Sequence, residues 1–453
     1  MAQRAADSVG DMLNTYRRAL ELPGAWQFSL TGFVARLPIA IVGLGIVLYI
    51  STSTGSYALA GILAAAFQLS AAVGAIVSSR MMDRLGQDRL LPWLAAVNAA
   101  GLIVFVLLVE QGAPVILQAL VIAITGAAQP AIGSMVRARW AAAAPDAERL
   151  RSAFALESVI DELIFSVGPL ITAVLAFQVS LPAPLIAGAV IGLAGGVGLA
   201  LQRRTQPRPT PRTPDAHAGP RSGALRQPGL LLLVVAAAGI GGVFGAYEVT
   251  VVAFSEQAGA SGASGLILGL WALGSMIGGI IFGAQHWSAP LPRQVLILSA
   301  VVTLVLVPAP FITSLPVLAV VTTIGGASIA PVLIAAFSLT ERLVPDRLLT
   351  EGLTWTNSGM AVGFSAGSFL GGVVIDARGT SLAFVLPIAS AGMATLIVGL
   401  GQRLLLRASA GHHAGAPGFS LNAEALPGPA PGGVRDDPDD PTTPNPDGVA
   451  PAS

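Results

Sequence analysis

Five charged residues interrupt apolar stretches of this sequence, and their types and spacing set the chemistry open to it. Arg36 breaks the run GFVARLPIAIVGLG. Glu157, Asp161 and Glu162 break FALESVIDELIFSVGP, and Glu248 breaks FGAYEVTVVAF. An ionised group in hydrocarbon is costly, so one that persists there is paired or functional. Counted along a helix from the arginine-rich end of each stretch, Arg36 lies ~14 Å deep, Asp161 and Glu162 ~12–14 Å, and Glu157 ~6 Å. The matching depths predict that Arg36 pairs with Asp161 or Glu162. Glu157 and Asp161 share a helix face, while Glu162 is turned ~100° from Asp161. One acid can then neutralise Arg36 while another faces a cavity and exchanges a proton as that cavity alternates between sides. A competing reading is a static ion pair, with Glu157 at the interface held by Arg149 or Arg151. Direct substrate contact by these acids is a third. Glu248, ~29 Å from the inner end of its stretch, is either a solvated interfacial carboxylate or part of an outer gate or cation selector.

The elements that must position these residues are membrane helices. Hydrophobic residues are 54% of the chain and charged residues 11%, against about 25% charge in soluble domains, and mean hydropathy is +0.75. Twelve stretches reach the ~20 apolar residues that a spanning helix needs, the fourth ending near 136. The layout predicted is a polar segment 1–26, six spans over 27–201, a Pro/Arg-rich linker 202–228, six spans over 229–404 and a disordered tail 405–453. No cleavable signal peptide is expected, because residues 1–25 are polar and the first apolar run is too long.

All 24 basic residues are arginines. Loops on one side, with both tails, carry 22 of them; the other side carries Arg378, and Arg36 alone falls inside a span. That asymmetry predicts cytosolic termini and an inner (cytoplasmic) membrane location, multi-pass. The chain has no cysteine, and its four histidines (His217, His286, His412, His413) fall in loops or the tail. No metal site, cofactor or thiol chemistry is expected. The glycine-rich runs lie inside spans without a phosphate-binding Gly-Lys-Ser/Thr, so ATP is not the expected energy source. No nucleic-acid partner is implied.

The loop after the second span reads Ser79-Arg80-Met81-Met82-Asp83-Arg84-Leu85-Gly86-Gln87-Asp88-Arg89. It resembles the signature loop of the major facilitator superfamily, Gly-x-x-x-Asp-Arg-x-Gly-Arg-Arg/Lys. Asp83, Arg84 and Gly86 match, Arg89 keeps one basic position, and Ser79 and Asp88 depart from the pattern. The resemblance covers about residues 20–405 and implies an all-α fold of two pseudo-symmetric six-helix bundles. It also implies a cytosolic latch of Asp83, Arg84, Gly86 and Arg89, in which Asp83 faces the other half while Arg84 and Arg89 pair with carboxylates or helix ends on the same membrane side; ordinary positive-inside anchoring is the alternative. A weak internal repeat supports two related halves: Pro145-Asp146 and Pro345-Asp346 each precede an Arg-Leu pair and a new span. Gly168-Pro169 resembles the dipeptide of the antiporter motif and should kink the fifth span.

Together these features predict a secondary transporter, monomeric and not an enzyme, moving a small organic solute by alternating access. Proton-coupled export of a drug-like compound or metabolite is the leading reading. Proton-coupled uptake of a sugar or organic acid, and a non-transporting sensor, are the alternatives. Tyr247, Trp355 and Asn357 are the residues expected to line a substrate cavity.

Overall fold

In lipid a peptide segment satisfies its own backbone polar groups most simply as a helix. A computed structural model describes residues 17, 20–207, 223–285, 287–345 and 348–410, and their regular structure is helical throughout. Twelve helices are long and apolar enough to cross a membrane: α1 (Ala25–Thr54), α2 (Tyr57–Met82), α3 (Gln87–Glu110), α4 (Val115–Ala143), α5 (Ser152–Val179), α6 (Ala183–Leu201), α7 (Leu230–Gln257), α8 (Ala263–Ala284), α9 (Leu291–Phe311), α10 (Leu315–Leu343), α11 (Glu351–Arg378) and α12 (Thr380–Leu400). A short α13 (Gln402–Ala410) follows. The chain is a multi-pass membrane protein.

The packing repeats with a shift of six helices. In the first bundle α1 packs on α5 and α6, α2 on α4, and α3 on α6; in the second α7 packs on α11 and α12, α8 on α10, and α9 on α12. The bundles meet through α2 with α11 and through α5 with α8, which is the same pair under the same shift. Both belong to one compact unit, Met1–Ala414.

Helices α4 and α10 are each broken at corresponding places. α4 divides into Val115–Ala127 and Ile132–Ala143, and α10 into Leu315–Gly326 and Ile329–Leu343. At the first break the Gln129 N–H turns to the Gly126 carbonyl, at 2.8 Å. The Thr125 carbonyl is thereby released, and Asn98 of α3 donates to it at 2.9 Å. At the second break Ser275 of α8 accepts from the Ala330 N–H at 3.1 Å. Each break is satisfied from a neighbouring helix, as backbone inside a membrane protein must be.

Some sequence boundaries move. α4 continues to Ala143, about two turns past the expected end, so Arg137 and Arg139 lie inside a span and Arg36 is not the lone case. The tail begins later than residue 405, because α13 is helical and its Leu405 is fully buried. Of the linker, Arg203–Thr205 and Ala224–Arg226 form single 3₁₀ turns. Residues 208–222, the tail from 411, most of residues 1–19, Asp346 and all four histidines lie outside the described residues.

The second bundle is organised by backbone contact between α7 and α11. A Cβ at Gly363 would collide with the Ala238 carbonyl, and one at Gly241 with the Met360 carbonyl. At Gly371 the nearest atom would be the Ala246 Cα at an ordinary 3.4 Å. Gly363→Val should therefore destabilise the protein by ~1–3 kcal/mol or more, whereas Gly371→Ala should be nearly silent. Thermal melting of the two purified variants in detergent checks this, and equal midpoints would refute the close-contact account.

Candidate functional site: an intramembrane charge network

The α5 segment enters its helix through Asp146, whose side chain accepts from the Arg149 N–H at 2.7 Å. From there 3.6-residue periodicity sorts its side chains onto two working faces. One face carries Glu157, Asp161, Gly168 and Thr172 toward α1. Glu157 and Asp161 meet Arg36, a Cβ at Gly168 would collide with Ala40, and Thr172 reaches the Ile41 carbonyl at 3.4 Å. The other face carries Ser166, Pro169 and Ala173 toward Gly265 and Gly269 of α8. Glu162 lies one turn before Ser166, on that second face.

Arg36 is 2% exposed and its guanidinium is divided between two acids. Its Nη1 bonds Asp161 Oδ1 at 2.7 Å, its Nη2 bonds Glu157 Oε2, and its Nε donates to the Gly32 carbonyl at 3.1 Å. Glu157 is fully buried and also accepts from Ser29 Oγ at 3.0 Å and Trp140 Nε1 at 2.8 Å. Asp161 has a second cation, Arg137 of α4, at 2.7 Å; these two remain 29% and 37% exposed. Arg36 and Arg137 supply two positive charges and Glu157 and Asp161 two negative ones, so the network is neutral without Glu162. Charge-assisted bonds of this kind compensate burial only when both sides are satisfied.

The expected partner Asp161 is present, and Glu157 joins it. Glu157 is not an interfacial group: the extension of α4 carries Trp140 over it and closes it from solvent, and the Arg151 side chain lies outside the described residues. Glu162 is half-buried, and no hydrogen bond or ion pair among the described residues reaches it. Glu248 is not a freely solvated carboxylate, for its Oε1 is enclosed without a partner among the described residues. Tyr247 is 1% exposed and belongs to the core of the second bundle, where it bonds Thr322 at 2.5 Å and meets Trp271 edge-on at 4.6 Å. Trp355 is exposed and shares a helical stripe with Val362, Phe369 and Val373, all exposed apolar residues. Asn357 is exposed and donates to the Leu353 carbonyl at 3.0 Å.

Gly168 and Pro169 sit where α5 is wedged between α1 and α8, and the helix continues past them to Val174 before a π-helical end, Leu175–Val179. At the signature loop Gly86 joins α2 to α3 with φ 89°, a conformation that only glycine adopts without strain. Arg84 and Arg89 are exposed, and the Asp83 side chain lies outside the described residues. Asp88 is not a mere interruption. It accepts from Gln206 Nε2 at 3.1 Å and lies 3.5 Å from Arg203, tying the loop to the end of α6.

Sequence reasoning missed Arg137, Arg139 and Trp140. The signal available was the absence of a glycine or proline between Gly133 and Pro145. Arg137 and Arg139 are two residues apart and so point to opposite sides. Arg139 is fully buried and bonds the Leu199 carbonyl at 2.9 Å, the Gln202 carbonyl at 3.1 Å, Thr205 Oγ1 at 2.8 Å and Gln87 at 2.9 Å. It caps the C-terminus of α6, where a cation is electrostatically favoured.

The profile of the Major Facilitator Superfamily matches residues 28–289, more than half of the chain. The chain belongs to the Major Facilitator Superfamily. No curated protein matches it. Among solved structures it is similar to a mutant form of the nucleoside transporter NupG, at 13% identity and TM-score 0.66, covering 84% of this chain and 100% of that one. A bacterial metal transporter gives 17% identity, TM-score 0.59 and coverages of 84% and 99%. A mutant peptide transporter POT gives 13%, 0.62 and coverages of 85% and 96%. These likenesses establish a transporter fold and leave the chemistry to this chain's own residues.

In this superfamily member the asymmetry of the two acids fixes which variant repairs which. Arg36→Ala strands a fully buried Glu157, whereas Asp161 retains Arg137. Breaking the pair should destabilise by ~3–5 kcal/mol. Arg36→Ala/Glu157→Gln should recover more thermal stability than Arg36→Ala/Asp161→Asn. Equal recovery, or none from either, would refute this division of the network.

Proposed function

We propose that the protein is a secondary active transporter that exports a small organic compound, drug-like or a metabolite, in exchange for protons across the cytoplasmic membrane. Both termini and the arginine-rich loops lie on the cytosolic side in this reading, and the functional unit is the monomer. The observation that carries it is Glu162. It sits beside a network already neutral, on the α5 face turned toward the opposite bundle, with no ion pair among the described residues. A carboxylate so placed can carry a proton in one state and release it, or accept a cationic cargo, in the other. Glu248, with an enclosed and unpartnered Oε1 on α7, is the second carrier position.

The network itself is then scaffold rather than carrier. Two cations hold Asp161 and one holds Glu157, so protonating either breaks an ion pair. The surplus of acid over base among the network residues and Glu162 favours cationic or neutral cargo over anions. Uptake driven by the same proton remains the second reading, because an unpaired acid couples either direction.

Cells overexpressing the chain should accumulate less of a fluorescent lipophilic cation than empty-vector cells, and a protonophore should abolish the difference. Glu162→Gln should lose this activity at wild-type protein levels. Accumulation equal to the vector control would eliminate broad cation export. A Glu162→Gln variant with wild-type rates would eliminate that residue as the carrier.

The signature loop faces an end where Arg80, Arg84 and Arg89 are exposed. Its latch acts in the opposite conformation, when that end closes. Asp83→Asn should lower initial transport rates without loss of protein from the membrane, and unchanged rates would remove the latch.

A further inference from the structure

The bundles are joined at the arginine-poor end, and one interaction there uses a helix terminus. Helix α2 begins at Tyr57, and its first four N–H groups have no partner within the helix. The Leu59 N–H goes to Ser56 Oγ at 3.2 Å, and the Ala60 N–H to the Ser56 carbonyl at 3.3 Å. The other two leave the bundle. The Tyr57 N–H donates to Asp376 Oδ1 at 2.9 Å and the Ala58 N–H to Asp376 Oδ2 at 2.9 Å. Ser56 Oγ adds a third bond to the same carboxylate at 2.9 Å. Asp376 belongs to α11, in the opposite half.

Close approach makes this reach possible. A Cβ at Gly372, one turn before Asp376 on the same face, would collide with the Tyr57 carbonyl. A Cβ at Gly61 would collide with the Ser368 carbonyl. Next to this contact the Tyr57 hydroxyl donates to Glu256, from the end of α7.

We propose that Asp376 is the latch of the arginine-poor gate: its carboxylate caps α2 across the two bundles, so the cap exists only while that end is shut. A carboxylate at a helix N-terminus gains both hydrogen bonds and the attraction of the positive helix end. Opening strips α2 of half its N-terminal acceptors at once. The latch is also reversible. Asp376 is exposed, and a cavity of about 290 Å³ beside Tyr57, Glu256 and Thr380 opens next to it, so water can replace the lost partners. The assignment needs no cargo, coupling ion or direction, and therefore stands or falls independently of proton-driven export.

The chain has no cysteine, so one introduced cysteine is a unique reporter. Ser368 is fully buried against α2, and its hydroxyl has no hydrogen-bond partner among the described residues, so Ser368→Cys forfeits no bond there. In purified protein in nanodiscs, Asp376→Asn should raise the maleimide labelling rate of this cysteine about tenfold, equivalent to ~1.4 kcal/mol. Asparagine has one acceptor oxygen in place of two and no charge, so the two N–H groups must share that oxygen and lose the attraction of the carboxylate for the helix end. Asp376→Glu keeps the charge on a longer arm and should give a smaller rise, which also serves if the asparagine variant is poorly folded. Hydrogen exchange of the Tyr57 and Ala58 amides should accelerate in parallel. Unchanged labelling overturns the latch even where those amides exchange faster, because the cap would then be local to α2. Unchanged exchange overturns it as well.

Discussion

The first bundle depends on the neutralisation of Arg36. A guanidinium in the membrane interior has no water to turn to, and its burial is tolerated only with opposite charge in bonding contact. That demand fixes three helices at one depth: α1 supplies the cation, α5 both acids, and α4 the second cation and the indole that closes over Glu157. Small residues line the junction of α1 and α4: a Cβ at Gly32 would collide with the Val136 side chain, and one at Gly133 would stand 3.2 Å from Arg137 Nη1.

Among the described residues no such network organises the second bundle. There Gly241, Gly245 and Gly363 let α7 and α11 touch backbone to backbone, and the buried polar contacts are neutral, Tyr247 with Thr322 and Thr340 with Thr356 at 3.0 Å. One architecture repeated twice is thus held by different forces. Ion pairs are directional and break as units, whereas dispersion between close helices is spread over many atoms. The half built on ion pairs also presents the unpaired Glu162, so a charge brought to that carboxylate acts on the bundle whose own balance is electrostatic.

The architecture was legible in the sequence because its causes are one-dimensional. Span length, the sorting of arginines and the split around the Pro-rich linker need no knowledge of packing, and the depth of Arg36 against Asp161 is simple counting. What escaped was set by contacts. Hydropathy falls away after Val136, yet helical hydrogen bonding carries α4 on to Ala143, and this is what places Arg137 and Trp140 over α5. Tyr247, a polar aromatic inside a span, was expected at a cavity; its hydroxyl bonds Thr322 instead, inside the same bundle. Asp376 and Glu256 carried no signal at all, since charges at span ends are ordinarily hydrated and only the juxtaposition of α2 with α11 and α7 gives them partners.

The joined end also constrains how the halves can move. Contacts between bundles run along α2 with α11 and α5 with α8, and at several of them backbone meets backbone, with Gly61 against the Ser368 carbonyl and Gly269 with a prospective Cβ 2.9 Å from the Ser166 carbonyl. Such contacts have no room to slide, because any displaced register places a side chain where the glycine stood. The surfaces can part or rock but cannot shear. All four charges of the Arg36 network sit within one bundle, so in the proposed transport cycle a rocking motion would leave the network intact while changing the separation of Glu162 from the α8 wall opposite it. On that proposal the paired charges travel as a rigid body, and Glu162 lies at the seam.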